Sequence, residues 1–170
     1  MSIAGVDIGG TSVKMGLLRE GEGLVWQKKI PSVMGDAEKL AARIAEALKE
    51  CPERPERIGV GTAGSVRRTD RTVTAGNLGW VDVPLGRLLG EATELPVWVD
   101  NDAQAALAAE VYDGVCRGEK DVVYLTLGTG IGGAMLIDGR PWRGPDYTGA
   151  ELGHIITHAR GRKCTCGRRG

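Results

Sequence analysis

Ile3-Ala4-Gly5-Val6-Asp7-Ile8-Gly9-Gly10-Thr11-Ser12-Val13-Lys14-Met15-Gly16-Leu17-Leu18 is an apolar run, a glycine pair and a second apolar run. The pattern predicts a strand from Ile3 to Ile8, a tight turn at Gly9-Gly10 and a returning strand from Val13 to Leu18. Gly23 to Lys29 adds a third strand. From Ala37 the apolar residues Leu40, Ala41, Ile44, Ala45 and Leu48 recur at helical spacing, with Glu38, Lys39, Arg43, Glu46 and Lys49 between them. Asp36 stands where an N-cap belongs and Pro52 marks the exit. Further on, Ile58 to Gly61 predicts a buried strand, Pro84 to Glu91 a short helix and Val97 to Val99 a strand. Ala103 to Tyr112 follows as an alanine-rich helix. Asp121 to Leu127 is again a strand, with Ala134 to Ile137 as its return after a second glycine turn. Thr62 to Trp80 is polar and glycine-punctuated, with no readable period. Three strands followed by alternating helices and strands predict an α/β layer fold. No repeat, low-complexity tract or linker interrupts the chain, so the pattern alone predicts one domain.

Composition narrows the function. With 42% hydrophobic and 26% charged residues, the 170-residue chain can bury a real core, which excludes a disordered or collagenous protein. Lys+Arg and Asp+Glu both total 22, so no summed positive field draws nucleic acid or an anionic membrane, and small-molecule partners are expected. No apolar run approaches the ~20 residues that span a bilayer. Asp7 comes before a signal-peptide core can form, which makes the cytoplasm the expected compartment. The 27 glycines cluster, and glycine lets backbone N–H groups crowd around a ligand.

The first cluster, Asp7 to Lys14, suits a nucleotide phosphate. Gly9 and Gly10 let amides approach oxygens, Thr11 can donate a hydrogen bond, Lys14 offsets negative charge and Asp7 can hold magnesium through water. A plain hairpin turn explains the same glycines. The second cluster, Leu127-Gly128-Thr129-Gly130-Ile131-Gly132-Gly133, also follows a strand. Gly128, Gly130 and Gly133 fit the GxGxxG spacing, yet the strand and the Asp138-Gly139 turn that follow are not the helix a dinucleotide motif requires. Two such hairpins predict two clamps on one phosphate chain.

Between them, Val99-Asp100-Asn101-Asp102-Ala103 runs from a strand into a helix, which projects side chains from the C-terminal edge of the sheet. Asp102 is either the helix N-cap or a carboxylate placed to take a hydroxyl proton, with Asn101 as a hydrogen-bonding partner of the same substrate. Finally, Gly149-Ala150-Glu151-Leu152-Gly153-His154 is followed by Cys164-Thr165-Cys166-Gly167. His154, Cys164 and Cys166 offer three zinc ligands where a closed site needs four. His158 or a group from outside the chain can supply the fourth, and two reduced surface cysteines are the alternative. Cys51 and Cys116 stand alone.

Taken in order, these motifs resemble the ROK family of bacterial sugar kinases and sugar-responsive repressors. The resemblance runs from Asp7–Lys14 through Gly59-Val60-Gly61-Thr62-Ala63-Gly64, Asn77-Leu78-Gly79-Trp80 and Asn101-Asp102-Ala103 to Gly128–Gly133 and Glu151–His154. It implies an actin-like, RNase H-like fold with ATP and Mg2+ held between two lobes, residues 1–120 forming the N-terminal lobe and residues 121–170 beginning the second. ATP phosphates would meet Asp7, Gly9, Gly10, Thr11 and Lys14 from one side, and Gly128, Thr129, Gly130, Gly132 and Gly133 from the other. Asp102 matches the family's catalytic base, which deprotonates the sugar 6-hydroxyl, while Asn77, Asn101, Glu151 and His154 match its sugar contacts. The family histidine also ligates a structural Zn2+ with three cysteines of a CxCGxxGC segment, of which Cys164 and Cys166 match here.

The chain ends at Gly170, where the family pattern next places the third cysteine and then another glutamate. The resemblance therefore implies the N-terminal part of a longer member, with the zinc set cut through and homo-oligomerisation expected of the full-length relative. Ala63 stands where many members carry proline, which would loosen that turn. The Asn77–Trp80 segment looks like the glucokinase branch, so glucose is the expected hexose. An amino-sugar kinase for N-acetylmannosamine, a sugar-sensing repressor and a catalytically silent fragment are the alternatives. The repressors carry a winged helix before the phosphate loop, and a first strand at Ile3 leaves no room for one.

Overall fold

The computed structural model describes residues 1–170 apart from Thr129, Asp146 and Thr165. β1 (Ser2–Ile8) and β2 (Ser12–Arg19) form the expected hairpin, with Asp7 opposite Lys14 and Ile8 opposite Val13. β3 (Gly23–Pro31) completes the meander. α1 (Ala37–Leu48) starts where its sequence predicts, because the Asp36 carboxylate accepts a 2.9 Å hydrogen bond from the Lys39 N–H. That satisfies one of the donors every helix start leaves open. Its apolar stripe, Leu40, Ala41, Ile44 and Leu48, is buried.

β4 (Arg57–Thr62) runs parallel to β1. The stretch without a readable period folds as a small antiparallel sheet of β5 (Ser65–Arg67), β6 (Thr72–Ala75) and β7 (Trp80–Val83), with a 3-10 turn at Gly76–Leu78. Strands of three and four residues are too short for alternation to declare itself, and an irregularity between Val73 and Ala75 breaks the period further. Their buried residues Val66, Val73, Ala75 and Trp80 belong to the same core as Leu40 and Ile58. α2 (Leu85–Thr93) and β8 (Val97–Asn101) follow, β8 parallel to β4.

The main sheet therefore has the order β3-β2-β1-β4-β8, an antiparallel meander extended by two parallel strands. This is the RNase H-like, actin-like arrangement. The parallel strands end in step: Asp7 lies beside Gly61 and Gly61 beside Asp100, then Ile8 beside Thr62 and Thr62 beside Asn101. Whatever follows β1, β4 and β8 emerges at one edge.

α3 (Asp102–Asp113) leads to β9 (Val122–Leu127), β10 (Ile131–Ile137) and β11 (Arg140–Trp142), an antiparallel sheet of order β11-β10-β9. Asp138 and Gly139, between β10 and β11, have φ of 49° and 71°, the left-handed pair that a tight hairpin turn requires. The chain divides into two compact units, Met1–Ala105 and Ala106–Gly170. The division falls inside α3, which reads in the sequence as one continuous helix, so no change of composition marks it. No helix among the described residues is long and apolar enough to cross a membrane.

One glycine holds the turn after β4. Gly64 has φ of 90°, and a Cβ there would overlap the Thr74 carbonyl oxygen and stand 2.7 Å from the Ala75 Cβ. Gly59, in the middle of β4, has open space around it. Gly64→Ala is therefore expected to lower the unfolding free energy by more than about 2 kcal/mol, and Gly59→Ala to change it by less than about 1 kcal/mol. Urea denaturation of both variants measures the contrast.

Candidate active site

At the end of β1 the Lys14 ammonium lies 3.3 Å from the Asp7 carboxylate, with both side chains open to solvent. The turn itself closes through a 3.1 Å hydrogen bond from the Gly9 N–H to the Ser12 carbonyl. Neither Gly9 nor Gly10 has a positive φ. What glycine provides at position 10 is room: a Cβ there would stand 3.7 Å from the Asn77 carbonyl oxygen and 3.8 Å from its side-chain nitrogen. Asn77 thus sits against the hairpin, and two candidates separated by 67 positions in sequence meet.

The second group forms where β8 becomes α3. Asn101 Oδ1 accepts hydrogen bonds from the Ala103 N–H at 3.0 Å and the Gln104 N–H at 3.1 Å, and Asn101 Nδ2 donates to the Gly64 carbonyl at 3.1 Å. Asn101 is therefore the cap of α3, and that role does not fall to Asp102. The amide has a second donor beyond the bond to Gly64, and the Asn101 side chain also hydrogen-bonds the Asp102 carboxylate. Gly61 keeps the helix close: a Cβ there would touch the Ala105 Cβ and the Asp102 Cα, each at 3.6 Å.

Asp102, in the first turn, also accepts a 2.8 Å bond from the Ala103 N–H. Its side chain reaches solvent, yet the protein around its carboxyl group displaces enough water to push the pKa up, and the charge of Asp7 adds to the rise. The bonds from Ala103 and Asn101 pull the other way and do not cancel it. A carboxylate made less comfortable as an anion is a better proton acceptor, and the edge of a parallel sheet is where substrates sit.

In the second unit the β9–β10 turn is closed by the Gly128 N–H donating to the Gly130 carbonyl at 2.9 Å. Gly128 and Gly130 have open space around them, and Thr129 lies outside the described residues. Gly133 is different: a Cβ would come within 2.7 Å of the Ala150 carbonyl oxygen and 2.8 Å of Leu152, so packing alone requires glycine there. That packing brings the β10 backbone at Gly132-Gly133 against the segment holding Glu151 and His154.

His154 faces two ways. Its Nε2 lies 4.0 Å from the Glu151 carboxylate and its Nδ1 3.6 Å from the Cys164 sulfur. The ligand atoms of His154, Cys164 and Cys166 all lie within 4.8 Å of one another. A tetrahedral zinc with ordinary Zn–S and Zn–N bonds sets sulfur and nitrogen about 3.6 Å apart, so these residues fit the metal. The loop that presents them is held by the Cys164 N–H to the Arg168 carbonyl at 2.8 Å and the Gly167 N–H to the Cys164 carbonyl at 3.0 Å, with Gly167 at φ of 91°. Cys51, Cys116, Cys164 and Cys166 form no disulfide.

A cavity of about 500 Å³ in the first unit lies elsewhere, lined by Leu48, Cys51, Arg54, Glu91 and Leu95 before β4 and β8 begin. It contains none of the candidate residues. The sequence did not single out the Gly64 carbonyl, which fixes the Asn101 amide. The signal was present in Asn101 itself, as good a cap as the aspartate beside it.

The sheet order, with acidic and amide side chains at the shared edge of its parallel strands, defines a lobe of the actin-like class. Within that class the chain belongs to the ROK family, whose family model matches residues 3–170. It is 37% identical over 176 residues to the glucokinase of Thermotoga maritima, covering 100% of this chain and 55% of that protein. Among solved structures it resembles a ROK family glucokinase from Streptomyces griseus in complex with glucose and AMPPNP, with TM-score 0.88, 34% identity and coverage of 100% of this chain and 55% of the other. It also resembles the ROK hexokinase of Thermus thermophilus, with TM-score 0.83, 37% identity and coverage of 100% and 58%. The chain spans about half the length of the curated relatives it matches.

The raised pKa of Asp102 carries a sign. A carboxyl group whose folded pKa lies above its unfolded value costs stability when ionised, so stability falls as pH rises from the unfolded pKa through the folded one. Asp102→Asn removes that cost. The variant is expected to resist urea better than the parent at pH 7, with the advantage shrinking as pH falls through the carboxylate range.

Proposed function

We propose that this chain carries sugar- and phosphate-binding machinery of an ATP-dependent hexose kinase acting on the sugar 6-hydroxyl, with glucose as the first substrate to test. The observation that carries the reading is Asp102, a carboxylate pushed towards holding a proton at the edge where β1, β4 and β8 end. The glucose and AMPPNP bound by the Streptomyces griseus relative support the sugar and the nucleotide. Residues 1–120 act as the nucleotide-fold lobe and residues 121–170 begin the second.

Each residue has a task that its surroundings allow. Asp102 accepts the hydroxyl proton as the phosphoryl group moves, which makes the oxygen a nucleophile without leaving it charged for long. Asn101, clamped to Gly64 and the start of α3, presents its amide to a sugar hydroxyl beside the Asp102 carboxyl it also bonds, and Asn77 presents its own from beside Gly10. Gly9, Gly10 and Thr11 offer backbone and hydroxyl donors to phosphate oxygens, with Lys14 as a counter-charge. Asp7 would hold Mg2+ through water, and the bound ion would offset charge on the phosphate chain. In the second unit the turn Gly128–Gly133 offers further amides, while Glu151 and the Nε2 side of His154 contact the sugar. The Nδ1 side of His154, with Cys164 and Cys166, would hold structural Zn2+, which fixes the loop that orients Glu151 and His154.

Two outcomes are expected. Asp102→Asn lowers the rate of Mg2+-dependent ADP formation with glucose by about 10²–10⁴-fold, the usual worth of a general base, and leaves glucose affinity by calorimetry within a few-fold. Near-normal turnover in that variant sinks the assignment. Cys164→Ser weakens zinc binding, measured by competition with a chelator, by more than about tenfold.

A further inference from the structure

The ten residues Arg160 to Arg169 hold five cations, Arg160, Arg162, Lys163, Arg168 and Arg169, in a chain whose basic and acidic totals are both 22. No acidic side chain stands between Glu151 and Gly170. All five are exposed, and among the described residues none of them has an ion-pair partner.

The fold draws four of them into a clip. Lys163 and Arg169 face each other across an antiparallel bridge. On either side, the Cys164 N–H donates to the Arg168 carbonyl at 2.8 Å and the Gly170 N–H to the Arg162 carbonyl at 3.3 Å. Residues directly opposite in such a pair have Cβ atoms about 5 Å apart on one face, and like charges so placed repel. A metal on His154, Cys164 and Cys166 would not relieve them. A divalent ion, two thiolates and a neutral imidazole sum to zero charge, so the positive charge of the clip stands with or without the ion.

A short clip that holds like charges together is stabilised by an anion bridging them, and arginine with lysine is the pair suited to phosphate oxygens. We infer that the clip of Arg162-Lys163 and Arg168-Arg169 binds a small oligophosphate anion, with Lys163 and Arg169 on either side of one phosphate group. Size and field favour this over nucleic acid. Each arm is two residues long, about 7 Å at strand spacing, so the clip meets only a few phosphate groups, and nucleic-acid affinity that rests on phosphate contacts grows with their number. A chain of zero net charge also has no long-range field to gather a polyanion. The site uses none of the residues assigned above to ATP or sugar, so it stands or falls apart from the kinase reading.

Calorimetry of the whole chain with inorganic tripolyphosphate tests it, alongside three variants: Lys163→Gln/Arg169→Gln, the charge-preserving Lys163→Arg/Arg169→Lys, and Arg43→Gln in α1 as a remote control. The expected result is at least about tenfold weaker binding at one site in the neutral pair, with the other two within about threefold of the parent. Should the neutral pair lose its native spectrum, Arg162→Gln/Arg168→Gln is expected to show the same weakening. Unchanged affinity in the neutral variants would place all binding elsewhere and overturn the inference. Equal loss in Arg43→Gln would reduce it to bulk charge. A single-stranded oligonucleotide that binds more tightly than tripolyphosphate, and loses that binding in the neutral pair, would replace the small anion with nucleic acid.

Discussion

The in-step ending of β1, β4 and β8 is the constraint on which the candidate site depends. The pairing register fixes which residues stand side by side where the strands stop: Asp7, Gly61 and Asp100 form one row, and Ile8, Thr62 and Asn101 the next. The row delivers one acidic group at the end of β1 and another at the start of α3 close enough for Asp7 to raise the pKa of Asp102. Two carboxylates so arranged do not stabilise the fold. They are tolerated because Lys14 partners the first and backbone N–H groups partner the second.

Rigidity around that edge comes from small residues and one amide. Gly61 lets α3 approach, Gly64 turns where any side chain would collide, and its carbonyl fixes the Asn101 amide that caps the helix. The position of Asp102 is thus set by neighbours that do no chemistry, which is how a carboxylate is held ready with little left to reorganise. The second unit follows the same economy, with Gly133 packed by Leu152 and His154 shared between Glu151 and the Cys164 sulfur.

Much of this was legible in the sequence, for identifiable reasons. The meander, α1 with its Asp36 cap, and the strand–helix junction at Asn101-Asp102 are encoded by local patterns long enough to read. The small sheet of Ser65 to Val83 was not, because its strands are too short to show a period and are held by burial of Val73, Ala75 and Trp80 in the shared core. Spacing also left open whether Asp102 or Asn101 caps α3. Only the distances from Asn101 Oδ1 to two successive N–H groups assign the cap, and with it free the aspartate for another role. The meeting of Asn77 with Gly10 is likewise a product of tertiary packing that no local motif encodes. The division of the chain inside α3 left no mark, since a helix that continues across a boundary has no change of pattern to read.

Burial by the surrounding protein raises the pKa of the Asp102 carboxyl group, and the charge of Asp7 raises it further. Titration of the Asp102 side-chain carboxyl carbon by NMR, in the parent and in Asp7→Asn, measures this directly. The predicted result is a midpoint above the ordinary value of about 3.9 that falls in Asp7→Asn without returning to that value. A midpoint at or below the ordinary value in the parent, or one indifferent to Asp7, would contradict it.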